Sequence, residues 1–144
     1  MSANNTLIGP HLQQFFTEHL CQHRRASAET IDSCRYTFRL LLIFMHDAIG
    51  IAPAKLHIAD LDAPMVLAFL DHLERERANS VRTRNIRLSA IRSFFRLVAL
   101  RDPDSVAIAT QVLAIPVKRE DKKLVGYLSR EEIDALIAAP DRSK

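Results

Sequence analysis

The side chains in this chain best suited to chemistry are guanidinium and amide groups crowded into residues 80–97. Arg82, Arg84, Asn85, Arg87 and Arg92 lie there, interleaved with Ser80, Thr83, Ser89 and Ser93. A guanidinium presents a planar fork of N–H donors that fits phosphate oxygens or a guanine edge. An asparagine amide can pair in the same two-point way with adenine. At about 100° per residue, Leu88, Ile91, Phe94, Phe95 and Val98 gather on one face of a helix, and Arg82, Asn85, Ser89, Arg92, Ser93 and Arg96 gather on the other. Arg84 and Arg87 fall in the first turns, where backbone N–H groups lack helical partners and the dipole end is positive. Such a surface suits a phosphate backbone with side chains reaching into a groove. A solvated helix with surplus arginine has the same pattern, so the rest of the chain must decide.

Other chemistries find no complete set of residues. His19 and His23 are four apart, but nothing supplies third and fourth ligands at metal-site spacing, and His11, His46, His57 and His72 are scattered. Cys21 and Cys34 read as thiols within helices, in a reducing compartment, rather than as a disulfide framework. There is no Gly-rich phosphate loop, metalloprotease helix or nucleophile elbow. Asp60, Asp62 and Asp71 are accounted for by capping and exposure. No catalytic residue, metal, cofactor or small-molecule substrate is therefore expected, and an all-helical enzyme is the weakest reading.

The chain has 144 residues, enough for one compact domain, with 48% hydrophobic and 26% charged residues and only 3 Gly and 6 Pro. Net charge is +3 and the pI about 9.1, so an argument for nucleic acid rests on where the charge sits. The longest apolar run, residues 40–45, is too short to span a bilayer, and residues 1–5 do not resemble a signal peptide. A cytoplasmic protein without membrane contact is expected.

The elements that must position these residues read as helices in series. Residues 1–8 read as frayed, and a first helix is expected from Pro10 to about His23. Ser27 caps a second helix over about 28–48, with core positions Ile31, Cys34, Phe38, Leu41, Leu42 and Met45. Leu40 and Ile43 form a second apolar stripe, expected to pack on another element, while Arg35, Tyr36 and Arg39 face outward. Asp62 and Pro64 open a third helix that ends in a solvated charge cluster, residues 74–77. The arginine-bearing helix follows, closed by Pro103, and a short fifth helix covers about 105–113.

From Pro116 the pattern changes. Residues 116–126 are charged, net basic and aperiodic, and read as an interdomain linker. Ser129 and Glu132 then form a capping box that starts another helix. One helix after a linker cannot bury its own apolar face, so residues 127–144 read as the start of a second, truncated domain after a first domain of 1–115. Ser27-Ala28-Glu29-Thr30 and Ser80-Val81-Arg82-Thr83 open two long helices in the same way, so the two could enter neighbouring parts of a groove as a pair.

This series resembles the N-terminal half of a tyrosine recombinase, the family of phage integrases. The segment from Thr83 to Phe95 is similar to the family's "T-x-N-R-x-L-S-A-I-R-S-F-F" helix. Ser27 to Thr30 leading into Arg39 and Leu40 is similar to its "S-x-x-T … L-R-x-F" helix, with Cys34 where Tyr is common and Leu41 where Phe is common. The stretch from Tyr127 to Leu136 is similar to the start of the catalytic domain. The resemblance implies an all-α core-binding domain of four to five helices that forms half of a clamp around duplex DNA. It also implies a catalytic domain with a nucleophilic tyrosine. No His-x-x-Arg pattern follows the linker, and neither Tyr127 nor Tyr36 takes the nucleophile's role, so the chain is expected to bind DNA and not to cut it.

The DNA contacts expected on this basis are Arg24, Ser27, Thr30 and Arg35 at the second helix, and Ser80, Arg82, Thr83, Arg84, Asn85, Arg87 and Arg92 at the fourth. Lys118, Arg119, Lys122 and Lys123 would follow the backbone along the linker. Other recombinase protomers are the second expected partner. The alternative is a protein-interaction module in which the first and fifth helices pack on a neighbouring protomer.

Overall fold

The computed structural model describes residues 6–23 and 27–119. It is all-α, with no β-strand among the described residues. Helix α1 spans Ile8–Gln14 and runs directly into a π-helical segment, Phe15–His23. Then come α2 (Ala28–Ile49), α3 (Ala63–Glu76), α4 (Val81–Arg101) and α5 (Val106–Leu113).

The helix ends follow local chemistry. Ser27 and Ser80 each sit in extended backbone and accept a hydrogen bond from the amide three residues on, Thr30 and Thr83, at 3.1 Å. Asp62 does the same for Met65 at 3.0 Å, with Pro64 in the first turn of α3. α2 ends at Gly50, whose φ of +71° is a left-handed conformation that a side chain would strain. Pro103 closes α4 and opens a short 3-10 turn into α5.

α4 is the central element, packing against α2, α3, α5 and the π-helical segment. Its face Leu88, Ile91, Phe94, Phe95 and Val98 is fully buried, as its spacing predicts. Phe94 meets Phe15, Phe38 and Phe95 edge to face, with ring centroids 5.3–5.7 Å apart. The π register explains how the first helical run reaches this cluster. A bond from residue i to i+5 widens the turn, so Phe15 and Leu20, five apart, share one side and are both fully buried.

Four expectations need correcting. The first helix starts at Ile8 and loosens into a π-helix rather than running as one α-helix from Pro10. Residues 6–8 are not frayed: the Ile8 amide donates to Leu56 O at 2.9 Å and the Ile58 amide to Thr6 O at 2.7 Å, and Ile8 is buried. Ile43 is not buried against a second element but is 54% exposed, whereas Leu40 on the same stripe is half-buried. Glu74 is not a solvated end residue but half-buried, held by cations from two other segments.

Candidate nucleic-acid interface

The starts of α2 and α4 carry matching caps. In each, the serine hydroxyl also donates to the threonine hydroxyl, Ser27 to Thr30 at 3.0 Å and Ser80 to Thr83 at 3.2 Å. Ser27, Thr30 and Ser80 are exposed. A shallow groove of about 230 Å³ runs between the two helices, lined by Thr30, Ser33 and Cys34 from α2 and by Ile86, Ser89, Ala90 and Ser93 from α4. Four of these seven residues carry a small hydroxyl side chain, and Thr30 and Ser89 among them are exposed.

The arginines divide into two groups. Arg82 and Arg96 are exposed and Arg92 half-exposed, along the same side of α4 as exposed Ser89. Arg84 and Arg87 turn toward the protein. The Arg84 side chain is 7% exposed; its Nε lies 3.7 Å from the Glu74 carboxylate and its Nη1 donates to Asn85 Oδ1 at 3.2 Å. Arg87 lies across α2: its Nη1 donates to Thr37 Oγ1 at 3.0 Å and meets both Ser33 oxygens at 3.4 Å. The Nε–H groups of Arg87 and Arg92 are buried and meet no acceptor.

Asn85 does not project freely into solvent. Its Nδ2 donates to Lys118 O at 2.8 Å, and the Lys118 amide donates to its Oδ1 at 3.0 Å. The Lys118 ammonium reaches both Glu74 oxygens, at 2.9 and 3.1 Å. Arg119 is exposed beside it. Arg35 is exposed but belongs to another side of α2: it pairs loosely with Asp32 at 3.7 Å and lies 5.8 Å from the Phe16 ring centre. It therefore does not join the α2–α4 groove. Arg24, Lys122 and Lys123 lie outside the described residues, as do Tyr127 and the expected capping box at Ser129 and Glu132.

Sequence reasoning gave no role to Ser33 and Thr37, took Glu74 and Arg77 as a solvated cluster, and turned Tyr36 outward without naming a partner within the chain. Tyr36 accepts at its hydroxyl from Arg77 Nη2 at 3.3 Å. The spacing Ser33–Thr37 is one helical turn, so it placed both hydroxyls on one side of α2, but nothing local named Arg87 as their partner. Among the described residues no group of three or more His, Cys, Asp or Glu could hold a metal ion. No described helix is long and apolar enough to cross a membrane.

Residues 12–101 match the family model described as "Phage integrase, N-terminal SAM-like domain". The chain is 49% identical over 136 residues to "Putative integrase/recombinase y4rC" of Sinorhizobium fredii (strain NBRC 101917 / NGR234), covering 94% of this chain and 41% of that protein. It is 42% identical over 139 residues to "Putative integrase/recombinase y4rD" of the same strain, covering 96% of this chain and 50% of that protein. The chain thus spans half or less of the length of these relatives. No solved structure matches it.

Proposed function

The chain belongs to the phage integrase family, whose N-terminal SAM-like domain it carries, and on that premise we propose that it is a DNA-binding module of a site-specific recombinase. The observation that carries this reading is the exposed side of α4, where Arg82, Arg96 and the half-exposed Arg92 flank Ser89 beside the hydroxyl-lined groove to α2. Guanidinium and hydroxyl donors in such a row suit successive phosphates of duplex DNA, with one or more side chains reaching base edges.

The expected contact set divides on this reading. Arg82, Arg92, Ser27, Thr30, Ser80, Thr83 and Arg119 contact DNA directly. Arg84, Asn85 and Arg87 hold the helices that present them, and Lys118 shares its charge with Glu74. Arg24, Lys122 and Lys123 belong to the proposal on sequence grounds, and Arg35 adds to the general positive field. The division into a bundle through 115, a basic linker and a second domain from 127 is part of the same proposal, as is the assignment of strand cleavage to residues that this chain does not carry. The chain's action inside the cell, away from membranes, follows from the same reading.

A gel-shift titration of the chain on mixed-sequence duplex DNA tests this. Affinity is expected to fall steeply with salt as counterions displaced from phosphates are restored. Absence of binding at low salt, or binding that ignores salt, would sink the proposal.

One observation favours a second role, contact with other recombinase protomers. An apolar groove of about 490 Å³ lies between α1 and α2, lined by Leu12, Phe16, Phe38, Leu42 and Ile43. At the other end of the chain's helical order, Leu100 is 82% exposed and Val106 42% exposed. Light scattering without DNA separates the roles: self-association supports protomer contact, and a monomer at high concentration removes that support.

A further inference from the structure

We propose that Glu74 and Asn85 are positioning residues that latch the segment after α5 onto the start of α4. The segment, residues 114–119, has two fixed points. The first is Ile115, whose side chain is 5% exposed and whose amide donates to Val112 O at 3.1 Å. The second is Lys118, gripped at its backbone by Asn85 and at its ammonium by Glu74. Between them Pro116 and Val117 are exposed.

The Lys118 anchor has the chemistry of a designed joint. A primary amide presents an N–H donor and a C=O acceptor on the same side, which a trans peptide group cannot do. Asn85 therefore pairs with both the N–H and the C=O of Lys118 as a neighbouring strand would, at 3.0 and 2.8 Å. Only the primary amide of Asn or Gln offers a separate N–H and C=O side by side in one side chain, and aspartate would lose the donor. Oδ1 accepts a second bond from Arg84, which orients the amide. Glu74 closes the arrangement from α3, its side chain 21% exposed between Arg84 and Lys118. Three separate parts of the chain, α3, α4 and the segment after α5, meet in these four residues.

The consequence is that the chain's path beyond Arg119 begins at a fixed place, one turn along α4 from Arg82. Whatever follows is carried from the arginine-bearing end of the bundle rather than from a loose tail. This goes beyond the DNA-binding reading and does not depend on it.

Amide hydrogen exchange on the full chain, without DNA, tests the latch. The Lys118 amide is expected to be protected in the native chain. Asn85→Leu is expected to speed its exchange roughly tenfold, in proportion to two lost hydrogen bonds. Glu74→Gln, which changes one heavy atom and leaves the fold in place, is expected to speed it by a smaller factor. Exchange at Leu88 and Ile91 in the core of α4 is expected to stay unchanged in Glu74→Gln. A Lys118 amide that exchanges freely in the native chain, or that is indifferent to both substitutions, overturns the latch. Failure of the gel-shift titration would leave this result untouched.

Discussion

The Arg87 guanidinium lies 5.0 Å from the centre of the Tyr36 ring, with Nη1 bonded to Thr37 on the same helix. The stack joins α4 to α2 at the point where the hydroxyl-lined groove begins, and it uses an arginine that sequence alone would assign to a ligand. Replacing Arg87 by Lys keeps the charge but loses the flat fork and the stacking surface. Arg87→Lys and Tyr36→Leu are each expected to lower stability by about 1–2 kcal/mol. Urea unfolding of the single and double variants checks this: coupled losses support the stack, and simply additive ones refute it.

The two groups of arginines predict opposite phenotypes. Arg82→Ala is expected to weaken duplex binding by about 1–3 kcal/mol and to lower the salt slope by about one, with stability changed by no more than roughly 0.5 kcal/mol. Arg84→Ala leaves the half-buried Glu74 carboxylate with one cation fewer, and is expected to lower stability by about 1–3 kcal/mol. Parallel binding and thermal-melt measurements decide. Equal effects on both observables in the two variants would contradict the division.

The serine caps give a third expectation. Ser27→Ala and Ser80→Ala each remove an acceptor for an otherwise unpaired amide, at a cost of about 1 kcal/mol each. Gly at either site is expected to cost only a few tenths. Chemical denaturation reads both, and a neutral Ser80→Ala would show that the cap contributes nothing to α4.

Asp102 sets an acid limit. The Ser105 hydroxyl, 2.6 Å away, is the main cause that holds its carboxyl below the ordinary value of 3.8. The Thr6 hydroxyl, the Asp104 amide and nearby His11 act in the same direction, and desolvation opposes them. A carboxylate depressed in the folded state stabilises at pH above its unfolded value, and that contribution is lost as pH falls through the folded value. The melting-temperature gap between the native chain and Asp102→Asn is therefore expected to be full near neutrality and to close as pH drops below 3.8. A gap that is constant with pH would refute the assignment.

Much of the fold was legible because local signals and burial agreed. The face from Leu88 to Val98 is buried as its spacing predicts, and Ser27, Asp62 and Ser80 cap the helices they precede. The π segment was not legible, because Phe15, Phe16 and Leu20 fit an α pattern nearly as well as a π pattern. The site was legible in composition but not in direction. Periodicity gives the angle of Arg84 and Arg87 around α4, but not the acceptors that Glu74, Ser33 and Thr37 bring from other helices. The partner of Asn85 was not legible for the same reason: it is the backbone of Lys118, 33 residues away.

The π register of Phe15–His23 has a bearing on length variation. A turn closed by i→i+5 bonds holds one residue more than an α turn spanning the same two ends. Loss of a single residue such as exposed Thr17 could be absorbed there by tightening to α geometry. The same loss within α4 would rotate everything beyond it by about 100° and unseat the aromatic cluster. The opening helical run is thus a part of the bundle that can drop one residue while the arginine-bearing helix keeps its aim.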